Sequence, residues 1–264
     1  EFSRQSKGIP IVNLLQVEKD ERVNAVIQIN REEECKYLLF ATEGGVVKKT
    51  LISEFANIRN SGKICISLRD NDKLIDVKKT TGNDLVLLGS DSGRMVKFNE
   101  DEIRVMGRTA SGVRGISLDG SKCICSEIVK EDDTILLVTE KGYGKQTKVS
   151  EYRQTRRGSK GVKAMNITDK NGSLVSVKIV QDNQELVIMT NSGMTMRMPL
   201  DQISLLGRVT QGLRLINLKD NQKVSTISLV EKEEVSESAE EEINNLSENV
   251  SNKDENITEI KETE

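Results

Sequence analysis

The chain has 264 residues, 36% of them hydrophobic, and with four Phe, three Tyr and no Trp its core must be built from Val, Ile, Leu and Met. Its formal charge of −3 conceals a split: residues 231–264 hold 13 acidic and 3 basic side chains, a tail of −10, which leaves a body of +7. Histidine is absent, which removes the commonest general base and metal ligand and argues against hydrolytic or zinc chemistry. The first recognisable element is a loop, "RQSKGIPIVNLL", around Gly8, with Arg4 and Lys7 ahead of the glycine. Next, "TEGGVVKKTLISEF" turns at Gly45 between apolar runs, which predicts a β-hairpin carrying Lys48 and Lys49. A second loop, "RNSGKICISL", brings Arg59, Gly62 and Lys63. The pair then recurs: "LVLLGSDSGRMVKF" is a hairpin turning at Gly93 and bearing Lys97, and "RTASGVRGISL" brings Arg108, Gly112 and Arg114. After "SKCICSEI", "TEKGYGKQTKVSEY" turns at Gly142 and bears Lys145. The loop "YRQTRRGSKGV" follows with Arg153, Arg156, Arg157, Gly158, Lys160 and Gly161, and Lys163 lies just beyond. "TNSGMTMRMPLDQI" turns at Gly193 and bears Arg197, and "RVTQGLRLINL" brings Arg208, Gly212 and Arg214. A closing strand is expected near Val224 to Val230, and the acidic tail, which has no useful apolar face, is expected to be disordered.

The turn glycines are 48, 49 and 51 residues apart, and the glycines of the later loops 50, 49 and 51. Within each unit the hydrophobic period is two, with Ile64, Ile66 and Leu68 alternating after Gly62 and Ile116 and Leu118 after Gly112, so each unit reads as several short strands. A sheet of that size is not stable alone and needs neighbours to cover its faces. The fold class is therefore all-β and propeller-like, over residues 1–230, with the tail 231–264 as a separate segment. Symmetry of this kind carries the loop and hairpin cations to equivalent places, giving a basic rim suited to duplex DNA, since stacking aromatics for single strands are scarce. The acidic residues Glu54, Glu102 and Glu151 fall near the hairpin ends and outside the basic loops. Cys123 and Cys125 alternate like inward-facing strand positions and, with Cys35 and Cys65, lack the CxxC spacing of a metal or redox site. No apolar run of about 18 residues occurs and "EFSRQSKGIP" has no secretory pattern, so a soluble, cytoplasmic protein with no membrane partner is expected.

As a set, "GIPIVNLL", "GGVVKKTLISEF", "VMGRTASGVRGISL", "TEKGYGKQTKVSEY" and "GRVTQGLRLINL" resemble the C-terminal domain of DNA gyrase A, the DNA-wrapping β-pinwheel of a bacterial type II topoisomerase. Residues 155–161 resemble the family's gyrase box, Gln-Arg-Arg-Gly-Gly-Lys-Gly, at five of seven places, with Thr155 for the Gln and Ser159 for the central Gly. The family's full box belongs to its first blade, and this copy lies in what resembles a later one. Four complete hairpin units stand where the family has six blades.

The resemblance implies a non-catalytic domain that binds and bends duplex DNA, with the rest of the gyrase A protein and the gyrase B protein as partners in ATP-driven negative supercoiling at the chromosome. It implies no cofactor on this chain, no nucleophilic role for Tyr37, Tyr143 or Tyr152, and a monomeric isolated domain. The DNA-contacting set it implies is led by Arg156, Arg157 and Lys160, with Arg108, Arg114, Arg208 and Arg214 as equivalents. Two other roles fit the same residues: a free-standing DNA-compacting protein, or a propeller-like module for binding proteins.

Overall fold

The structure is a computed structural model, and it describes residues 13, 23–29, 35–56, 62–219 and 221–232. Arg4, Lys7, Arg59 and the tail beyond residue 232 lie outside the described residues. The chain divides into two units, Glu1–Leu229 and Val230–Glu264.

Among the described residues, fifteen strands follow one another in a repeating order. A hairpin of β1 (Tyr37–Thr42) and β2 (Val46–Leu51) comes first. Then come β3 (Leu74–Thr80), the hairpin β4 (Leu85–Ser90) and β5 (Arg94–Asn99), and the two-residue β6 (Val113–Arg114). The pattern repeats as β7 (Cys123–Val129), β8 (Thr134–Thr139), β9 (Tyr143–Lys148) and β10 (Val162–Lys163), and again as β11 (Leu174–Val180), β12 (Gln184–Thr190), β13 (Thr195–Pro199) and β14 (Leu213–Arg214). β15 (Val224–Glu231) closes the series.

The repeats interlock. The sheets run β3-β1-β2-β6, β7-β4-β5-β10, β11-β8-β9-β14 and β15-β12-β13, so each hairpin takes its flanking strands from later repeats. The hairpins pair antiparallel, with Leu39 facing Lys49, Leu87 facing Lys97, Leu137 facing Lys145 and Val187 facing Arg197. Such an arrangement is all-β and propeller-like, as the repeat predicts.

Each hydrophobic core lies between neighbouring sheets, so one sheet's face is finished by the next. Leu39 and Val47 of the first sheet pack with Leu88 and Phe98 of the second. Leu87 and Met95 pack with Leu137 and Tyr143 of the third, and Leu136 and Val138 pack with Leu186 and Ile188 of the fourth. An inner sheet is consequently buried on both faces, which is why β8 reads as a continuous apolar run. Cys123 and Cys125 are buried there as expected, and burial pushes the Cys123 thiol up to about 12.

Glycines permit close approaches between repeats, as two of them show. Gly93 has φ +74°, and a Cβ on it would lie 2.7 Å from Ile167 of the following basic loop. Gly161 has φ +68°, and a Cβ there would meet the Met95 carbonyl oxygen at 2.0 Å. These are positions that L side chains rarely adopt.

Two expectations about local structure are corrected. The run from Gly62 to Leu68 forms no strand, and Ile64 and Leu68 are exposed. After Gly112 only Val113 and Arg114 pair before the chain turns inward to bury Ile116. The alternation there marks an irregular segment that plugs a hairpin turn, since the Ile116 side chain and carbonyl sit against Gly45. Single turns of 3-10 helix after each hairpin, at Ile52–Phe55, Glu100–Glu102, Val149–Glu151 and Leu200–Gln202, carry no sequence period long enough to be recognised.

Candidate nucleic-acid interface

The basic loops are joined to one another by a bond that repeats with the sequence. The arginine four residues ahead of Gly112, Gly161 and Gly212 donates to the carbonyl two residues past the preceding loop's glycine. Thus Arg108 Nη1 donates to the Ile64 carbonyl at 3.2 Å, Arg157 Nη1 to the Arg114 carbonyl at 2.5 Å, and Arg208 Nη1 to the Lys163 carbonyl at 2.6 Å. A second rung runs through the backbone: the amides of Ser67, Ser117 and Asn166 donate to the carbonyls of Ala110, Ser159 and Thr210 in the next loop. Loop follows loop along one edge, and each of the later three loops contributes the short strand, β6, β10 or β14, that borders one of the first three sheets.

Along this edge Arg114, Arg153, Arg156, Lys160, Lys163 and Arg214 are exposed, whereas Arg108, Arg157 and Arg208 are half-buried because their guanidinium groups serve the ladder. Lys63, also half-buried, donates to the carbonyls of Glu54 and Ala56. Lys160 forms a 2.7 Å ion pair with Asp119, and that hydrogen-bonded lysine lowers the pKa of the Asp119 carboxyl. Glu151, Arg153, Val162, Lys163 and Arg208 line a groove between two neighbouring loops.

The hairpin lysines do not reach this edge. Lys49, Lys97 and Lys145 are buried, because a sheet packed on both faces has no outward side to give them. Each ammonium is satisfied internally instead. Lys49 donates to the Glu100 carbonyl at 3.0 Å and Lys97 to the Val149 carbonyl at 3.3 Å, while Gln146, at the same repeat position, donates to the Leu200 carbonyl at 2.7 Å. These three residues fasten a hairpin to the 3-10 turn of the next. Lys97 also bonds both carboxylate oxygens of Glu131 at 2.7 Å. Lys145 donates to the carbonyls of Gly207 and Arg208, and burial lowers its pKa to about 8. Arg197, on the fourth sheet, is exposed and paired with Glu185.

The acidic residues are not segregated from the basic loops. Glu102 and Glu151 accept from the backbone amides of Arg157 and Arg208 at 2.9 and 2.8 Å, so each carboxylate stands under the peptide of an edge arginine. A hairpin-end position in sequence is a loop-base position in space. Sequence reasoning also passed over Arg94, which donates through Nε and Nη2 to the carbonyls of Lys160 and Gly161 at 3.0 and 3.1 Å; its signal was its place directly after a turn glycine. Lys141, Lys170 and Lys219 were missed too. They gather with Arg214 around Tyr143, whose hydroxyl accepts from Arg214 Nη2 at 2.9 Å. Among the described residues no three of Cys, Asp and Glu come together to hold a metal ion.

The profile of the DNA gyrase C-terminal domain, beta-propeller, matches residues 36–81, 84–124, 133–181 and 184–231, one match for each interlocked repeat. The chain belongs to this family. It is the family of a non-catalytic domain. The DNA gyrase A protein of Staphylococcus epidermidis is 43% identical over 238 residues, covering 89% of this chain and 27% of the relative. Its Staphylococcus aureus counterpart is 43% identical over 251 residues, covering 94% of this chain and 28% of the relative. The chain therefore spans about a quarter of the length of these relatives. Among solved structures, a C-terminal domain of DNA topoisomerase IV superposes with a TM-score of 0.79 at 26% identity, covering 90% of this chain and 75% of that one. A DNA gyrase A C-terminal domain gives a TM-score of 0.74 at 25% identity, covering 85% and 76%. No helix among the described residues is long and apolar enough to cross a membrane.

Proposed function

We propose that this chain binds duplex DNA along the edge formed by its linked basic loops and bends it, as the C-terminal part of a DNA gyrase A protein that directs negative supercoiling by the whole enzyme. The observation that carries this reading is the repeating guanidinium–carbonyl ladder, which holds successive cationic loops in one continuous series. Phosphates are the target because exposed Arg and Lys without aromatic platforms suit a backbone and not unstacked bases. Arg114, Arg156, Lys160, Lys163 and Arg214 are assigned direct phosphate contact, with Arg153 at the groove mouth; Arg108, Arg157 and Arg208 give their remaining guanidinium nitrogens.

Bending a site of 20–30 base pairs by 40–90° costs about 1–6 kcal/mol, and it is offset only if the duplex meets several loops in succession. One loop does not suffice. The rest of the gyrase A protein and the gyrase B protein are the assigned partners, in the bacterial cytoplasm at the chromosome, and ATP and metal chemistry belong to them. The test is plasmid relaxation by a type I topoisomerase in the presence of the purified chain. Wrapping of the bent duplex along the edge with one hand leaves a ladder of topoisomers shifted from the control after deproteinisation, in proportion to the protein added. An unshifted distribution at saturating protein would remove the wrapping assignment.

A further inference from the structure

Lys48 and Lys145 stand three residues past their turn glycines, at the same place in the first and third sheets, and both are fully buried. Lys145 Nζ donates to the carbonyls of Gly207 and Arg208, each at 2.7 Å. Lys48 Nζ donates to the carbonyls of Cys65 and Arg108. Each ammonium therefore grips, from inside, the peptide of an arginine that ties its loop to the preceding one. The second and fourth sheets carry Val96 and Met196 at this place. There the Arg157 loop is held by Arg94, which donates to the carbonyls of Lys160 and Gly161; the Thr155 amide's bond to the Lys97 carbonyl is shared by all three loops, as Met106 to Lys49 and Leu206 to Gln146.

We propose that Lys48 and Lys145 are positioning residues for DNA binding: as ammonium ions they set the Arg108 and Arg208 loops, and loss of their protons weakens duplex binding through those two loops and not through the Arg157 loop. This rests on the DNA-binding reading above. Several features make the device work at accessible pH. Burial lowers both lysines to about 8. Around Lys145, Glu151 favours the charged form and Arg208 opposes it. Around Lys48, Arg108 opposes the charge, the Phe40 ring lies 5.1 Å away, and Cys65 favours the charge only as a thiolate, a form that its own burial opposes. A neutral amine still donates, but hydrogen bonds from an ionised donor are roughly twice as strong. Exposed lysines keep their protons to about 10.4, so a rise from about pH 7 to about pH 9.5 discharges mainly the buried pair.

The experiment measures affinity of the full chain for a duplex of about 40 base pairs by fluorescence anisotropy, at about pH 7 and pH 9.5 and one ionic strength. Three proteins are compared: the native chain, Lys48→Met with Lys145→Met, and Arg156→Ala. Methionine is chosen because Met196 occupies the same repeat position in the fourth sheet. The native chain is expected to weaken about tenfold between the two pH values, and the double variant to be weakened by a similar factor at neutral pH and then flat. Arg156→Ala is expected to be weaker at both values with the native ratio. A flat native profile, or equal ratios in the native chain and the double variant, overturns the lysine role while leaving DNA binding intact; absence of binding at neutral pH overturns the DNA reading itself. If the double variant does not fold, the native profile and the single Lys145→Met variant decide in the same way.

Discussion

Replacing Arg114, Arg156 and Lys160 together with Ala should flatten the salt dependence of duplex binding by a calculable amount. Six exposed cations along the edge are assigned to phosphates, Arg114, Arg153, Arg156, Lys160, Lys163 and Arg214. If each neutralises one phosphate, log K falls against log salt with a slope of about −5, since every neutralised phosphate of B-DNA contributes about −0.9. Between about 50 and 200 mM salt that is a loss of about 10³ in affinity. The triple variant keeps three of the six, so its slope should be shallower by about 2.7 and the loss over the same range about 40-fold. Fluorescence anisotropy across a KCl titration measures both slopes, and Arg197→Ala, on the fourth sheet beside Glu185, is the control expected to keep the native slope. Weaker binding with an unchanged slope would refute the reasoning, because it would mean that these side chains support the protein without meeting phosphates. An unchanged slope with unchanged affinity would place the DNA elsewhere altogether.

Asp119→Asn should tighten binding several-fold at low salt and little above about 0.5 M, because it frees Lys160 from its 2.7 Å pair and removes a negative charge from the edge, an exposed effect that salt screens. Gly161→Ala should destabilise the fold by about 3 kcal/mol or more, since a Cβ there adds left-handed strain to a 2.0 Å clash with the Met95 carbonyl oxygen; Gly120→Ala, at φ +89° with open space around it, should cost only about 1–2 kcal/mol, and urea midpoints separate the two. The buried lysines also predict the sign of a stability change with pH. Their folded pKa values, about 8, lie below the ordinary 10.5, so between these values the unfolded chain binds more protons and stability contributed by these groups rises with pH. Urea midpoints should therefore show the native chain gaining on the Lys48→Met, Lys145→Met variant between about pH 8 and 10.

The four hairpins are legible in the sequence because turn glycines and short apolar runs are local signals, and each hairpin closes on itself in a register set by its own turn. Strand exchange is not local. Nothing in Val113 and Arg114 announces that they border β2, some sixty residues earlier, since two residues carry no period. The same gap separates the candidate edge into parts that could and could not be read. Arg114, Lys163 and Arg214 are visible as recurring loop cations, and they are exposed on the linked loops. Arg108, Arg157 and Arg208 were visible by the same recurrence, but their second task, tying loop to loop, depends on carbonyls that sequence does not display.

The hairpin lysines show where charge ceases to report location. A lone buried ammonium is costly in a core of Leu and Val, and an alternating strand with one wet face would place Lys49, Lys97 and Lys145 in water. Here an inner sheet is covered on both sides by its neighbours, so its alternation separates two interiors and not an interior from a surface. The irregular turns and loops packed against the hairpins supply unpaired carbonyls at regular intervals, and a lysine is long enough to reach them. Position three past the turn glycine thus holds Lys48 and Lys145, each on two loop carbonyls, in the first and third sheets, and Val96 and Met196 in the second and fourth. A basic repeat in this fold is consequently two sets of cations with opposite environments: one set in the loops, facing outward, and one in the hairpins, fixing the loops from beneath.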